Sequence, residues 1–369
     1  MRQSLETYFR FDWMLLLAAS VLTVIGLLAI YGINISRESA DFFQFKKQIV
    51  AALFGLFLVF TFVLLDYRQL RSLALPLYGL GAALLVAVLI FGTSIRGTKA
   101  WFVIGNISFQ PVEIAKISLA IFLAFYLSRY AHKRISWVPF FGSGLATAIY
   151  AGLVMLQPDF GSALVMIVIW LAAVSFVGLP RRAWLLICLT SVVGGIFMWT
   201  AVLQPYQKDR IISFVQPSGD VRGAGYNVAQ ARIAIGSGGW FGKGIAEGSQ
   251  SRLHYLPEAS TDFVFSVLGE ELGFFGVILV LSLYALLMFR FVKIAEGSCD
   301  AFPQILLVCL MAYLMFHLMI NVGMNLGLAP VTGIPLPFIS AAPSAVIASF
   351  ITIALAQSIA VRRQPATFR

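Results

Sequence analysis

Residues 13–33 read WMLLLAASVLTVIGLLAIYGI, an unbroken run without one charged side chain. A helix on the surface of a soluble protein keeps a polar face, whereas this run is apolar all round. It is also long enough to cross a bilayer, which takes roughly 20 apolar residues. Nine further runs follow: Ile49–Leu65, Leu73–Phe91, Glu113–Leu127, Phe141–Leu156, Ala163–Leu179, Ala183–Leu203, Phe263–Phe291, Ile305–Leu328 and Ser340–Ala360. The fifth and sixth are split only by Gln157-Pro158-Asp159-Phe160-Gly161, whose composition fits a tight turn.

Composition agrees. The 369 residues are 60% hydrophobic and only 11% charged, against about 25% charged in soluble domains. The net charge of +10 would suggest nucleic acid in a soluble protein. Here the Lys and Arg flank the apolar runs, so no nucleic-acid partner is expected. Cys188 and Cys309 lie in apolar runs and Cys299 in a short loop. Their spacing suits neither a metal cluster nor a disulfide framework. The first run is too long for a cleavable signal peptide, and no small-residue cleavage site follows it.

The distribution of Lys and Arg gives an orientation. With the N-terminus cytoplasmic, that side carries fourteen, including Arg2, Arg10, Lys133, Arg134, Arg362, Arg363 and Arg369. The opposite short loops carry five: Arg37, Lys46, Lys47, Arg96 and Lys99. The expected fold is an all-α polytopic integral membrane protein of about ten transmembrane helices. Both termini are cytoplasmic, and one long extracytoplasmic loop, 204–262, joins helices 7 and 8. Residues 1–369 then form a single transmembrane domain. The loop is glycine-rich (Gly223, Gly225, Gly236, Gly238, Gly239, Gly242, Gly244, Gly248). Within it, Tyr226–Ile235 reads as a short interfacial helix with Tyr226, Ala229 and Ile233 on one face.

Polar groups inside a span are expensive, so each is a site candidate. Glu113 and Lys116 share a helix face at i, i+3. Their spacing fits a self-neutralising ion pair and a polar patch on a cavity equally well. Asp262 stands where the long loop enters the eighth run. It, Ser260 or Thr261 suits a helix N-cap. The other reading is a carboxylate at the water–membrane boundary, fitted by partial desolvation for proton abstraction. Glu270 and Glu271 lie roughly 12 Å deeper on the same helix and are expected to pack against a neighbour. Asp159 lies in the turn between the fifth and sixth runs. Trp101, after Lys99, is either an interfacial belt residue or a site residue. Arg210, Arg222, Arg232, Lys243 and Arg252 lie in the long loop, where one or two suit a diphosphate clamp. No nucleotide-hydrolysis, GxSxG or HExxH motif is present. Apart from the two deep glutamates, the candidates gather at the outer leaflet, which points to a substrate at the membrane surface.

Eight stretches, in order along nearly the whole chain, resemble the SEDS family (shape, elongation, division, sporulation), most closely its rod-shape-determining branch. They are Phe109–Lys116, Gln157–Gly161, Gly223–Asn227, Ile235–Gly239, Leu256–Glu258, Thr261–Phe263, Gly269–Gly273 and Gly333–Phe338. The resemblance implies a peptidoglycan glycosyltransferase in the bacterial inner membrane. Such an enzyme polymerises lipid II, an undecaprenyl-diphosphate-linked disaccharide-pentapeptide, beside a class B penicillin-binding protein that crosslinks the strands. The family's essential aspartate falls on Asp262, its intramembrane polar pair on Glu113 and Lys116, and its tryptophan on Trp101. Lys99, Asp159, Arg210 and Glu258 join these as expected substrate-binding residues. A divalent cation, Mg or Mn, is commonly expected at the family's site, with Asp262 as its candidate ligand. The short stretch before the first run leans toward an elongation role.

Three positions depart from the family pattern. Ala100 stands where an arginine is usual and Ser260 where a histidine is usual. Ala341-Ala342-Pro343-Ser344-Ala345 replaces Tyr-Gly-Gly-Ser-Ser. A lipid II flippase using Glu113, Lys116, Glu270 and Glu271, and an inactive membrane scaffold for a penicillin-binding protein, are the competing readings.

Overall fold

The computed structural model describes residues 11–35, 42–95, 97–131, 135–216, 223–248, 256 and 258–363. Arg37, Arg96, Arg222, Arg252, Pro257 and the terminal arginines lie outside the described residues. Ten helices are long and apolar enough to cross a membrane. Seven precede the long loop: α1 (Trp13–Ile35), α2 (Phe43–Leu64), α3 (Tyr67–Phe91), α4 (Pro111–Ser128), α5 (Trp137–Met155), α6 (Phe160–Val177) and α7 (Arg181–Phe197), the last extended by a π turn over Met198–Val202. Two shorter helices in the loop are α8 (Pro205–Val215) and α9 (Ala224–Ser237). Three more spans follow: α10 (Val264–Glu296), α11 (Ala301–Leu326) and α12 (Pro343–Arg362). Each apolar run in the sequence is matched by one of these ten spans.

Between α3 and α4 the all-α expectation is incomplete. Strands β1 (Thr93–Ile95), β2 (Thr98–Ile104) and β3 (Ile107–Phe109) form a small antiparallel sheet. Ile104 pairs with Ile107 around Gly105-Asn106, and Gly105 has φ +59°, as a two-residue hairpin turn requires. Alternating β-branched and aromatic residues, from Thr98 to Phe109, carry the signal.

Helices α4 and α12 run through the middle of the bundle, while almost nothing of α7 is buried. Proline opens both α4 (Pro111) and α12 (Pro343), where its missing N–H costs nothing. The departure at Pro343 therefore leaves the helix intact. At the end of the bundle away from the long loop, both carboxylate oxygens of Asp12 accept from the Arg290 guanidinium. The Asp12 backbone exchanges two hydrogen bonds with the Gln357 amide. Helices α1, α10 and α12 are tied there.

The long loop is built into the bundle rather than laid over it. Helix α10 breaks at Gly273, where φ is 65° and ψ −163°, a conformation essentially limited to glycine. The polar backbone around the break is met by the glycine-rich segment. Lys243 N–H donates to Glu270 O (3.0 Å), Gly244 N–H to Glu271 O (3.1 Å) and Phe274 N–H to Gly239 O (2.9 Å). A Cβ at Gly238 or Gly242 would overlap the carbonyl of Gly269 or Glu271. Glu270 pairs with Lys243 at 3.0 Å, and Glu271 accepts from Ala246 N–H at 3.0 Å. The two deep glutamates thus hold the loop to α10, as a packing role requires. Helix α9 is present where the loop predicts it, but its buried face carries Ala231 and Ala234, packed with Ile33, Phe263 and Met324. The expected Tyr226–Ala229–Ile233 face is not the buried one; Ile233 is exposed. Small alanines, not the larger side chains, permit the close approach of α9 to α10.

Replacing Gly273 with Ala is expected to lower stability by about 1–3 kcal/mol through the disfavoured backbone. Gly194→Ala on α7, where a Cβ meets nothing within 4 Å, is expected to be neutral or slightly stabilising. Thermal unfolding of the two variants in the same detergent checks both.

Candidate active site

The residues around Asp262 form a tight turn before they form a helix. Glu258 O accepts from the N–H groups of Thr261 (3.1 Å), Asp262 (3.1 Å) and Phe263 (3.3 Å). Glu258 itself has φ 58°, and its Oε2 accepts from Thr261 Oγ1 at 3.2 Å. Helix α10 begins only at Val264, with Phe263 at the N-cap and no side-chain cap bond from it. None of Ser260, Thr261 and Asp262 therefore acts as that N-cap. The capping oxygen comes from another helix: Asn325 Oδ1, on α11, accepts from Ser266 N–H at 3.1 Å.

The same amide also holds the turn. Asn325 Nδ2 donates to Asp262 O at 3.0 Å. Asn321, one turn earlier on α11, donates to Asp262 O (3.2 Å) and to Ile334 O (2.9 Å). Both asparagines are fully buried. From the other side, Ser340 Oγ donates to Thr261 O at 2.6 Å, and Ala341 N–H to Ser260 O at 2.8 Å. The backbone of Asp262 is thus fixed on two sides, while its side chain is only half-buried. Gly333, at φ 75°, passes close by; a Cβ there would lie 3.7 Å from Asp262 Oδ2.

Tyr313, His317, Asn321 and Asn325 recur every four residues and make one polar stripe along α11. Its lower half meets the charged pair on α4. Lys116 Nζ lies 2.7 Å from Glu113 Oε1, with both side chains almost fully buried. Glu113 Oε2 accepts from Tyr313 OH at 3.0 Å. Lys116 Nζ lies 3.4 Å from His317 Nε2, and His317 Nδ1 3.2 Å from Pro335 O. A carbonyl only accepts and an ammonium only donates, so these partners assign the ring hydrogen to Nδ1 and leave Nε2 as acceptor. The pair neutralises itself and bolts α4 to α11. Glu113 and Lys116 are about 1% exposed, and their polar atoms engage each other, Tyr313 and His317.

Asp159 and Arg210 meet in a different place. With Thr98, Tyr206, Gln207 and Thr332 they line a small cavity open to solvent. Asp159 Oδ1 caps α6 through Ser162 N–H (3.0 Å). Tyr206 OH and Gln207 Nε2 donate to Pro158 O at 3.1 Å each. Arg210 Nη1 donates to Val331 O at 3.3 Å. Burial pushes the Tyr206 phenol above its ordinary value, with Arg210 drawing it down and Asp159 adding to the rise. It is therefore a protonated donor at neutral pH. The 330–334 segment stands between this cavity and the Asp262 turn: Val331 and Thr332 face the cavity, and Gly333 approaches Asp262.

Lys99 and Trp101 alternate with Thr98 and the buried Ala100 along β2, so they share the opposite face of the strand. Lys99 Nζ donates to Ile90 O at 3.2 Å and closes the end of α3. Trp101 pairs across the sheet with Thr93. At the departures, Ser260 Oγ bonds the Gln44 amide and Ala100 is buried; Ser344, which the family pattern shares, accepts from Gln110 N–H at 3.0 Å. Reading the chain for charges overlooked Tyr313, His317, Asn321, Asn325, Thr332 and Ser340. A four-residue repeat of polar side chains inside an apolar run was the available signal.

The polar groups that a transporter path would use are paired among the described residues. Glu113 and Lys116 close on Tyr313 and His317, and Glu270 and Glu271 close on the loop.

The family model described as "Cell cycle protein", covering FtsW, RodA and SpoVE, matches residues 9–364. The peptidoglycan glycosyltransferase MrdB of Escherichia coli strain K12 is 34% identical over 335 residues, 89% of each chain. Stage V sporulation protein E of Bacillus subtilis is 34% identical over 338 residues, 89% of this chain and 91% of its own. The rod shape determining protein RodA of Thermus thermophilus superposes with a TM-score of 0.70 at 32% identity, covering 96% of this chain and 97% of that one. A chain of a peptidoglycan synthase complex superposes with a TM-score of 0.80 at 32% identity, covering 96% and 98%. Extent of match and shared fold agree: the chain belongs to the FtsW/RodA/SpoVE family and is a multi-pass membrane peptidoglycan glycosyltransferase of cell-wall elongation.

Proposed function

We propose that the substrate is lipid II, polymerised at the outer face of the bacterial inner membrane with Asp262 as the reacting carboxylate. The observation that carries this is the Asp262 turn: its backbone is held by Asn321, Asn325 and the 340–341 segment, while its carboxylate stays half-exposed beside the 330–334 segment. A rigid backbone under an accessible carboxylate suits a general base. The acceptor GlcNAc 4-hydroxyl attacks the donor MurNAc anomeric carbon. The new O4–C1 bond forms as the C1–O bond to the lipid diphosphate breaks, with inversion, and the hydroxyl proton passes to Asp262. Arg210 is the proposed cation that offsets charge on the leaving diphosphate.

Among the described residues no three His, Cys, Asp or Glu side chains group closely enough to cage a metal ion. In the alternative to its role as base, Asp262 would supply one carboxylate ligand to a hard divalent cation such as Mg or Mn, whose remaining ligands would have to come from substrate and water. When bound, it would neutralise diphosphate charge. A class B penicillin-binding protein is the proposed partner, since the structural neighbour belongs to a complex that coordinates polymerization and crosslinking.

Labelled lipid II, incubated with the purified protein and its cognate partner, is expected to yield glycan, and the Asp262→Ala variant none. Polymer from Asp262→Ala at the wild-type rate would refute the assignment. Asp262→Asn is expected to slow turnover by roughly 10²–10⁴-fold. Asn325→Ala removes the cap and one bond to Asp262 O together. It is expected to cut kcat roughly 10–100-fold with KM little changed, because a small displacement of a reacting group is costly. Steady-state kinetics on variants matched for folded fraction reads this split.

A further inference from the structure

Helix α2 contributes no group to the chemistry assigned above, yet its outer end reaches the segments around Asp262. Its buried face runs through Gln48, Ala51, Gly55, Val59 and Val63, the three- and four-residue spacing of one helix stripe. That stripe lies along α12 so closely that a Cβ at Gly55 would overlap the Phe350 ring. Gln44, one turn before Gln48, continues the stripe outward. The apolar part of the face therefore fixes α2 against α12, and its last two turns end in side-chain amides.

Both amides are bonded to supports of the Asp262 turn. Gln44 Nε2 donates to Ser260 Oγ at 3.1 Å, and Ser260 Oγ donates back to Gln44 Oε1 at 3.3 Å. Gln48 Nε2 donates to Ser340 O at 2.8 Å. Ser340 Oγ accepts from Leu336 N–H at 2.8 Å and donates to Thr261 O at 2.6 Å. One path thus runs from α2 through Ser260, two positions before Asp262, and another through Ser340 to Thr261, its immediate neighbour.

Stability does not account for Gln48. The residue is 1% exposed, and its Oε1 is buried with no hydrogen-bond partner among the described residues, which is unfavourable in itself. The carbonyl it serves has a second donor, since Ala342 N–H also reaches Ser340 O at 2.7 Å. A leucine at 48 would fill similar space and leave no backbone group unpaired. What the amide adds is direction: it sets Ser340, and with it Thr261 O, at a defined place relative to α2.

We infer that Gln44 and Gln48 are positioning residues for Asp262, a third support beside the α11 asparagines and the 340–341 segment. This rests on the reading of Asp262 as the reacting carboxylate. A base held a fraction of an ångström from its productive place loses rate without losing substrate affinity.

The full-length protein with its cognate partner is assayed on lipid II as Gln48→Leu, Gln44→Leu, Ser260→Ala and the Gln44→Leu/Ser260→Ala double variant. Each is also unfolded thermally in one detergent. Gln48→Leu is expected to cut kcat roughly 10–100-fold with KM unchanged, and to melt within about 2 °C of wild type. Gln44→Leu and Ser260→Ala are each expected to lower kcat roughly threefold or more. The double variant is expected to lose no more than the worse single one, because both changes break one tie. A Gln48→Leu kcat within about twofold of wild type per folded enzyme, whatever its melting temperature, would overturn the role of Gln48. Losses that multiply in the double variant would overturn the Gln44–Ser260 path. Asp262→Asn, run alongside, separates the two readings. If it is inactive while Gln48→Leu is as fast as wild type, the positioning role alone falls. If it turns over at the wild-type rate, the catalytic assignment falls and takes this inference with it.

Discussion

No water reaches the interior of a bilayer, so every backbone group that a broken helix releases must find a partner within the protein. Helix α10 is broken at Gly273, and its carbonyls at Glu270 and Glu271 and amides at Phe274 and Phe275 are taken up by residues 239–244. Only glycine allows this: at Gly238, Gly242 and Gly273 two backbones pass at distances a Cβ would forbid. The long loop is thereby part of the folded bundle. Its other end, which carries Asp262, inherits a fixed starting point.

The same constraint explains the start of α10. A helix N-terminus leaves N–H groups unpaired, and the residues before Val264 are occupied in a tight turn around Glu258 O. Asn325 supplies the missing acceptor from α11 and uses its NH₂ group to hold Asp262 O. One buried amide thus caps a helix and orients the candidate catalytic residue. Below it, Asn321, His317 and Tyr313 carry the polar contacts down to the Glu113–Lys116 pair. Burying that charge is tolerable because each ion has its partner and a further hydrogen-bonding neighbour. The pair sets the packing of α4 against α11, and so acts on the site through position rather than by contact.

The departures from the family pattern are absorbed locally. Pro343 occupies a first helical turn, Ser344 accepts from Gln110 N–H, and Ser260 exchanges hydrogen bonds with Gln44. The turn at 258–263 stays attached to the 340–341 segment through Ser340 Oγ to Thr261 O and Ala341 N–H to Ser260 O. The glycosyltransferase relatives and the matching fold fit a site whose supports are retained while individual side chains change.

The ten spans were legible in the sequence because the bilayer tests one helix at a time: apolar length is a local property. The chemical type of Asp262, Asp159 and Arg210 was legible too, since polar groups at a membrane boundary stand out. The sheet at 93–109 carried a readable turn that the apolar pattern overshadowed. What tertiary structure alone decided is which polar groups meet. Asn325 reaches Asp262 across 63 positions, and Tyr313 reaches Glu113 across 200. It also set Lys116 in a buried pair with Glu113 and Arg210 on the wall of a cavity. Such pairings depend on how helices far apart in the chain pack in space, and neither periodicity nor charge pattern along the chain encodes that distance.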